Sequence, residues 1–243
     1  MLINADLKAL EWYCAVFLSQ DPVGIQEILD NVDQHADNLV RLGFPDRGVA
    51  KVFLFRLVYG GGAWSYAHDP EFMLTSKSEK FWQHAIDQFY EKYDGLHRWH
   101  IGLMQEVTTT GRLVMPTGRI YTYEKDKHGN WPRTTILNYP VQGLGADLMM
   151  IGRISFFRRF KASNLTGKLV STIHDSLVVD APCETLDKLD ENCYNICMML
   201  KSCIEDIPMN FERLFGVKFN LPMRCEISYG LNKKDREVLN GST

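Results

Sequence analysis

The stretch "KLVSTIHDSLVVDAP", Lys168 to Pro182, decides the fold class. Two runs rich in β-branched residues, "LVSTI" and "LVVDA", meet at His174-Asp175, and this pattern predicts two strands hinged at that pair. Working outward, "NYPVQGLGADLMMIGRISFFRRFKAS" (Asn138–Ser163) predicts a helix opened near Pro140. Before it, "GRLVMPTGRIYTYEKDKHGNWPRTTIL" (Gly111–Leu137) reads as a hairpin with Gly and Asn in its turn, and "EKFWQHAIDQFYEKYDGLHRWHIGLMQEV" (Glu79–Val107) carries one long amphipathic helical pattern. At the amino end, "MLINADLKALEWYCAVFLSQD" (Met1–Asp21) predicts a strand followed by an amphipathic helix, and residues 24–42 read as a helix that Gly43 and Pro45 end. Downstream, a helix from about Glu184 to Ile204 and a strand near "RCEISYG" (Arg224–Gly230) finish the chain. Strands and helices mix without βαβ alternation, which predicts an α+β fold.

The chain has 243 residues, 45% of them hydrophobic and 23% charged, so it can bury a substantial core in one large domain or two small ones. No run reaches the roughly 18 apolar residues of a membrane span, and no charged-then-apolar leader opens the sequence. The six cysteines, Cys14, Cys183, Cys193, Cys197, Cys203 and Cys225, lack paired CxxC spacing and are expected to be buried free thiols in a reducing compartment. The net charge of -3 means that any contact with nucleic acid must be local.

Local charge is found in "RGVAKVFLFRLVYGGG", Arg47 to Gly62. A helix advances about 100° per residue, so Arg47, Lys51, Phe55 and Tyr59 share one face. Val49, Phe53 and Leu57 form an apolar stripe opposite. Two aspartates stand on rigid supports. Asp6 follows a short apolar strand, and Asp175 lies at the bend between two apolar runs. Each alone could be a helix cap or a turn residue. Together with the cationic face they suit a triphosphate carried on divalent cations.

At this point the residues resemble a family. Arg47-x3-Lys51-x7-Tyr59-Gly60, with Phe55 between, fits the finger helix of family A DNA polymerases. "ADLKALE" (Ala5–Glu11) is similar to the first palm motif of that family, "TIHDSLVV" (Thr172–Val179) to the third, and "NYPVQGLGAD" (Asn138–Asp147) to its template-primer helix. Four motifs in the family's order span about Ile3 to the last strand. The resemblance implies a palm, an antiparallel sheet with helices, at residues 1–34 and 111–243, and helical fingers at 35–110 with the finger helix at 47–60. It implies DNA-templated synthesis with two Mg²⁺, held by Asp6 and Asp175 with the backbone carbonyl of Leu7. Arg47, Lys51, Phe55, Tyr59, Glu11 and His174 are expected to meet the deoxynucleotide, with Lys51 assisting the leaving group and Glu11 beneath the sugar. Asn138, Gln142, Arg133 and Tyr59 are expected to meet template-primer DNA, and Gly60, Gly61 and Gly62 to form a hinge.

The sequence departs from the family pattern in two places. Ser176 stands where glutamate usually follows the aspartate, and Thr134 stands where an arginine is usual, with Arg133 one residue earlier. A thumb and an exonuclease are not expected within these residues. The resemblance therefore implies a truncated or split enzyme of the cytoplasm, needing a separate polypeptide for those elements, and a sheet edge left bare upstream of Asp6. A non-catalytic DNA-binding subunit that kept the palm is the rival reading, and a reverse-transcriptase-like palm is a poorer third reading, because its fingers lack this helix pattern. His35 matches a family histidine. His68, His84, His97, His100 and His128 lack zinc spacing, and Arg153, Arg158, Arg159 and Lys161 form a basic patch. Trp64, Trp82 and Trp99 are expected in the core.

Overall fold

The structure, a computed structural model, describes residues 1–73, 75, 77–183, 189–232 and 236–239. In chain order, β1 (Leu2–Leu7) leads into α1 (Leu10–Ser19), α2 (Pro22–Leu29), α3 (Gln34–Arg41), α4 (Arg47–Val58), α5 (Ala63–His68) and α6 (Pro70–Met73). There follow α7 (Glu79–Lys92), α8 (Asp94–Thr110), β2 (Arg112–Val114), β3 (Ile120–Thr122) and the long helix α9 (Arg133–Ala162). The strands β4 (Lys168–Ile173) and β5 (Ser176–Asp180), helices α10 (Glu191–Glu205) and α11 (Ile207–Phe215), and strands β6 (Cys225–Gly230) and β7 (Arg236–Val238) complete the described elements. The chain divides into two compact units, Met1–Leu10 with Gly145–Thr243, and Glu11–Leu144.

The first unit is built on a five-stranded sheet in the order β4-β5-β1-β6-β7, antiparallel throughout. The predicted hairpin is present, with Ile173 paired to Ser176 and His174-Asp175 as its two-residue turn. β1 is central rather than at an edge, because β5 and β6 pair with it on either side. The bare edge expected beside β1 is therefore absent, and the described edges are β4 and β7. Helix α10 packs on β1 and β6, burying Ile196, Cys197, Leu200 and Ile204. Each of these isoleucine and leucine side chains contributes about 1.5–3 kcal/mol of transfer free energy. This helix begins at Glu191; the expected start at Glu184 lies outside the described residues. The sequence reading missed α11 and β7 here, and α5 and α6 in the other unit. Pro208 at the start of α11 and Gly216 (φ 69) at its end were the available signals.

All six cysteines are free thiols, five of them buried. Cys183, Asp190 and Cys193 bring their ligand atoms within 4.8 Å of one another. Asp190 caps α10 by accepting from Cys193 N at 2.7 Å, and the Cys193 thiol donates to Pro182 O at 3.4 Å.

The second unit is helical apart from the β2–β3 hairpin. Its core centres on Trp82, whose ring centroid lies 5.7 Å from Phe44, 6.2 Å from Phe53, 5.3 Å from Tyr66 and 5.1 Å from Phe72. Trp82 is fully buried and Trp99 half-buried, but Trp64 is 65% exposed, with its ring stacked on His68 at 4.6 Å. Its position in a six-residue helix just after the glycines turns it away from the aromatic cluster. A second cluster joins Leu103 and Val107 of α8, Leu113 of β2, Tyr123, and Ile136 and Leu137 of α9. Packing of this kind holds the unit from Glu11 to Leu144 together. Trp12 of α1 stands 5.0 Å from Tyr93, and α1, buried from Trp12 to Phe17, is not the amphipathic helix expected.

Several helices end elsewhere than expected. Residues 24–42 form α2 and α3, separated where Asn31 takes a left-handed φ of 57. The long pattern from Glu79 breaks at Tyr93 into α7 and α8. The cause is a buried carboxylate. Asp21, 1% exposed, caps α2 by accepting from Gly24 N at 2.8 Å and also accepts from Leu96 N at 3.1 Å, so one side chain serves the starts of two helices. Gly95 is required beside it, since a Cβ there would lie 2.8 Å from the Asp21 Cα. Helix α9 begins at Arg133, not Pro140, and passes through that proline. Losing one backbone bond to proline costs about 3 kcal/mol. Complete burial of Ile136, Leu137 and Val141 offsets it. The hairpin turn uses Gly118 (φ 79), whereas Gly129 and Asn130 sit in a separate turn held by Asp126. No described helix is long and apolar enough to cross a membrane.

Asp21→Ala removes the acceptor for two buried amides at once. Urea unfolding should show a loss of about 2–4 kcal/mol. A loss below about 0.5 kcal/mol, the range of ordinary surface changes, would show that Asp21 does not organise these helices.

Candidate active-site residues

In the first unit the β1–β5 pairing sets Asp6 opposite Ser176, residues 170 apart in sequence. Leu7 N donates to Asp175 O at 2.9 Å, so the two aspartates sit on neighbouring backbone joined by a main-chain hydrogen bond. The Ser176 hydroxyl donates to Asp6 Oδ2 at 2.5 Å. Asp6, Asp175 and Ser176 are half-buried and His174 is exposed. Two residues flanking the carboxylates hold left-handed backbone, Ala9 at φ 47 and His174 at φ 52. Such conformations cost about 1–3 kcal/mol each and concentrate where geometry serves function. Ala9 has no polar side chain to ease the turn. The donor set, carboxylates with nearby backbone carbonyls, is the hard-oxygen chemistry that suits Mg²⁺ and not a soft metal. The residues present fit such an ion.

In the second unit α4 presents the predicted face. Arg47 and Lys51 are exposed, and Phe55 and Tyr59 are half-buried. The opposite side is buried at Ala50, Phe53, Leu54, Leu57 and Val58; Val49, expected in the stripe, is only half-buried because it belongs to the first, capped turn. Asp46 caps that turn by accepting from Val49 N at 2.9 Å. Arg47 is held by Asp33, whose Oδ2 accepts from Nη2 at 2.8 Å and Nε at 3.3 Å. The other oxygen, Oδ1, caps α3 through His35 N and Ala36 N at 3.0 and 3.1 Å. Partial burial opposes the charge of Asp33, but Arg47 and those two amides outweigh it and hold the carboxyl below its ordinary range. The His35 ring lies 5.9 Å from Phe55, and Lys51 Nζ lies 5.8 Å from the Phe55 centroid. Burial, then the charge of Arg47, lowers the His35 pKa, Asp33 opposes this, and Lys51 lowers it further.

A third group surrounds the end of α4. Tyr59 accepts a short hydrogen bond from Gln142 Nε2. Burial raises the Tyr59 pKa, the negative charge of Glu11 raises it further, and the Gln142 bond opposes the shift. Tyr59 thus stands between Gln142, which it meets by a hydrogen bond, and the charge of Glu11. Arg133 is exposed next to Gly60, where a Cβ would lie 3.8 Å from its Cγ and 2.7 Å from Leu137 Cδ1. Asn138 stands apart from these contacts, and its buried Oδ1 has no partner among the described residues. The glycines have a packing reason of their own. Gly60 has φ 81, and a Cβ on Gly61 would lie 2.9 Å from Arg56 O, whereas Gly62 faces open space.

Sequence reasoning missed Asp33 and the Ser176–Asp6 bond. The acidic residue just ahead of α3 was a visible cap signal, but its bond to Arg47 crosses 14 positions and carries no local pattern. The expected histidine pKa pattern is testable by NMR titration. His35 should titrate below about 6.5, the value of an unperturbed histidine. Arg47→Gln should move it up and Asp33→Asn further down, because the two charges act with opposite sign. Equal shifts in one direction would contradict this geometry.

A sequence model of DNA polymerase family A matches residues 1–234. DNA polymerase I of Caldicellulosiruptor bescii is 24% identical over 245 aligned positions, covering 96% of this chain and 26% of that protein. The DNA polymerase of Mycobacterium phage D29 is 27% identical over 192, covering 76% of this chain and 29% of that protein. Among solved structures, the POL domain of Pol1 from M. smegmatis, in complex with DNA primer-template and dNTP, superposes with a TM-score of 0.75 at 16% identity. It covers 94% of this chain and 39% of that one, a likeness of fold. The chain spans about a quarter of the length of these curated relatives.

Proposed function

The chain belongs to DNA polymerase family A, and from that premise we propose that it is the catalytic core of a DNA-templated DNA polymerase. It adds deoxynucleotides to a primer 3′ end by two-metal phosphoryl transfer in the cytoplasm of a bacterial or phage-infected cell. One observation carries the reading. Asp6 and Asp175, far apart in sequence, stand on hydrogen-bonded backbone at the ends of β1 and the β4–β5 hairpin.

In this reading Asp6, Asp175 and the Leu7 carbonyl hold Mg²⁺. When bound, two such ions lower the pKa of the primer hydroxyl and stabilise the departing pyrophosphate. Ser176, neutral where the family has a carboxylate, fixes the Asp6 carboxylate through its hydroxyl instead of adding a charge. Arg47 offers a planar fork and Lys51 a point charge to the β- and γ-phosphates, and Lys51 assists the leaving group. Phe55 and Tyr59 cover base and sugar, Glu11 lies beneath the 2′ position, and His174 faces the nucleotide. Gln142, Asn138 and Arg133 meet the template-primer.

Primer extension tests the metal assignment. Asp6→Asn and Asp175→Asn should each reduce incorporation by about 10²–10³ or more while leaving primer-template binding largely intact. Near wild-type incorporation by either variant would remove that residue from the site. A wild-type chain that binds DNA but extends nothing would point to the non-catalytic subunit.

Sugar selection gives an independent check. Glu11→Ala should raise kcat/KM for a ribonucleotide relative to the matching deoxynucleotide, because the group that meets a 2′-hydroxyl is gone. An unchanged ratio would exclude Glu11 from this role.

A further inference from the structure

Arg47 is the first residue of α4, at the positive end of the helix, and carries a second positive charge there. Asp33 already answers it. One carboxylate oxygen takes two guanidinium N–H groups, and the other takes the first amides of α3. A single carboxylate therefore sits where a phosphate oxygen would be received, between an arginine fork and exposed backbone amides. Both side chains remain about half exposed, 58% for Arg47 and 48% for Asp33, so the pair is accessible to a competing anion.

We propose that Asp33 is an internal competitor for the triphosphate at Arg47, an anion that holds the fork and must be displaced by the incoming phosphate. The proposal rests on the reading of Arg47 as a phosphate ligand. Its consequence is that Asp33 sets the affinity of the site from outside the set of groups that touch the nucleotide. An exposed ion pair is weak enough to yield to a multiply charged, bidentate ligand. Asp33 is thus a positioning residue that limits affinity. His35 shares the arrangement, since its amide is held by the same carboxylate and its ring rests near Phe55.

The design of the test follows from the two oxygens. Asparagine keeps an acceptor for the α3 amides and removes the charge, so Asp33→Asn separates the competitor from the cap. Asp33→Ser does the same with a different cap. Equilibrium binding of inorganic tripolyphosphate to the full chain is measured for wild type, both Asp33 variants, Arg47→Ala and the double variant Asp33→Asn/Arg47→Ala. Removing Asp33 should tighten binding by about 2- to 5-fold, the worth of an exposed ion pair. The KM for a deoxynucleotide should fall by a similar factor without a gain in kcat. In the Arg47→Ala background the gain should vanish. Unchanged or weaker binding in both Asp33 variants overturns the proposal, and so does an equal gain without Arg47, which would reduce Asp33 to a general repulsive charge. If Arg47→Ala itself leaves tripolyphosphate binding intact, the phosphate reading of Arg47 fails, and the competitor role fails with it.

Discussion

The structure depends on the antiparallel pairing of β1 with β5. That ladder places Asp6 opposite Ser176 and next to Asp175, and it also buries Ile3, Ala5 and Leu7 at 1% exposure or less. The two outcomes are inseparable because side chains alternate along a strand. A slip of one residue would carry the Asp6 carboxylate into the position of a core side chain and bring a leucine to the hairpin turn. Burying a lone carboxylate is far more costly than any hairpin can repay. The hydrophobic pattern of β1 therefore locates the carboxylate, and β6 on the other side removes the freedom to slip.

The helical unit solves a different problem, how to display cations on a chain whose net charge is -3. Helix α4 is anchored by Phe53 in the aromatic cluster around Trp82, and the Tyr66 hydroxyl donates to Phe53 O at 3.0 Å. The anchored side leaves Arg47 and Lys51 exposed. Interior charge is handled by pairing. Lys92 meets Glu27 at 2.5 Å and Asp37 at 2.7 Å, and Tyr93 donates to the same Glu27, so α2, α3 and α7 are tied by one partly buried network. Asp21 does comparable work with backbone amides in place of a cation. Local clusters, not overall charge, decide what this surface can hold.

Ser176 illustrates how a departure from a family pattern can be read physically. A hydroxyl cannot supply the charge of a carboxylate, but as a donor it can hold an existing carboxylate in one orientation. The bond to Asp6 does this, and only because the strand register makes the two residues opposite. Belonging to family A defines the frame in which that exchange has meaning.

By itself the sequence determined what depends on residues close together. The hairpin at His174-Asp175, the charge-and-ring face of α4, the α+β class and the burial of most cysteines all follow from spacing along single elements, and each was legible. The tertiary structure decided what depends on partners far away. The breaks at Asn31 and Tyr93, the passage of α9 through Pro140 and the exposure of Trp64 ran against local pattern. Gly95 must meet Asp21, and buried packing around α9 outweighs the proline. Asp33 reads locally as a helix cap and becomes a partner of Arg47 only when α3 and α4 are folded together. Periodicity reports which face of an element is apolar; it holds no record of which distant group that face, or the charge opposite it, will meet.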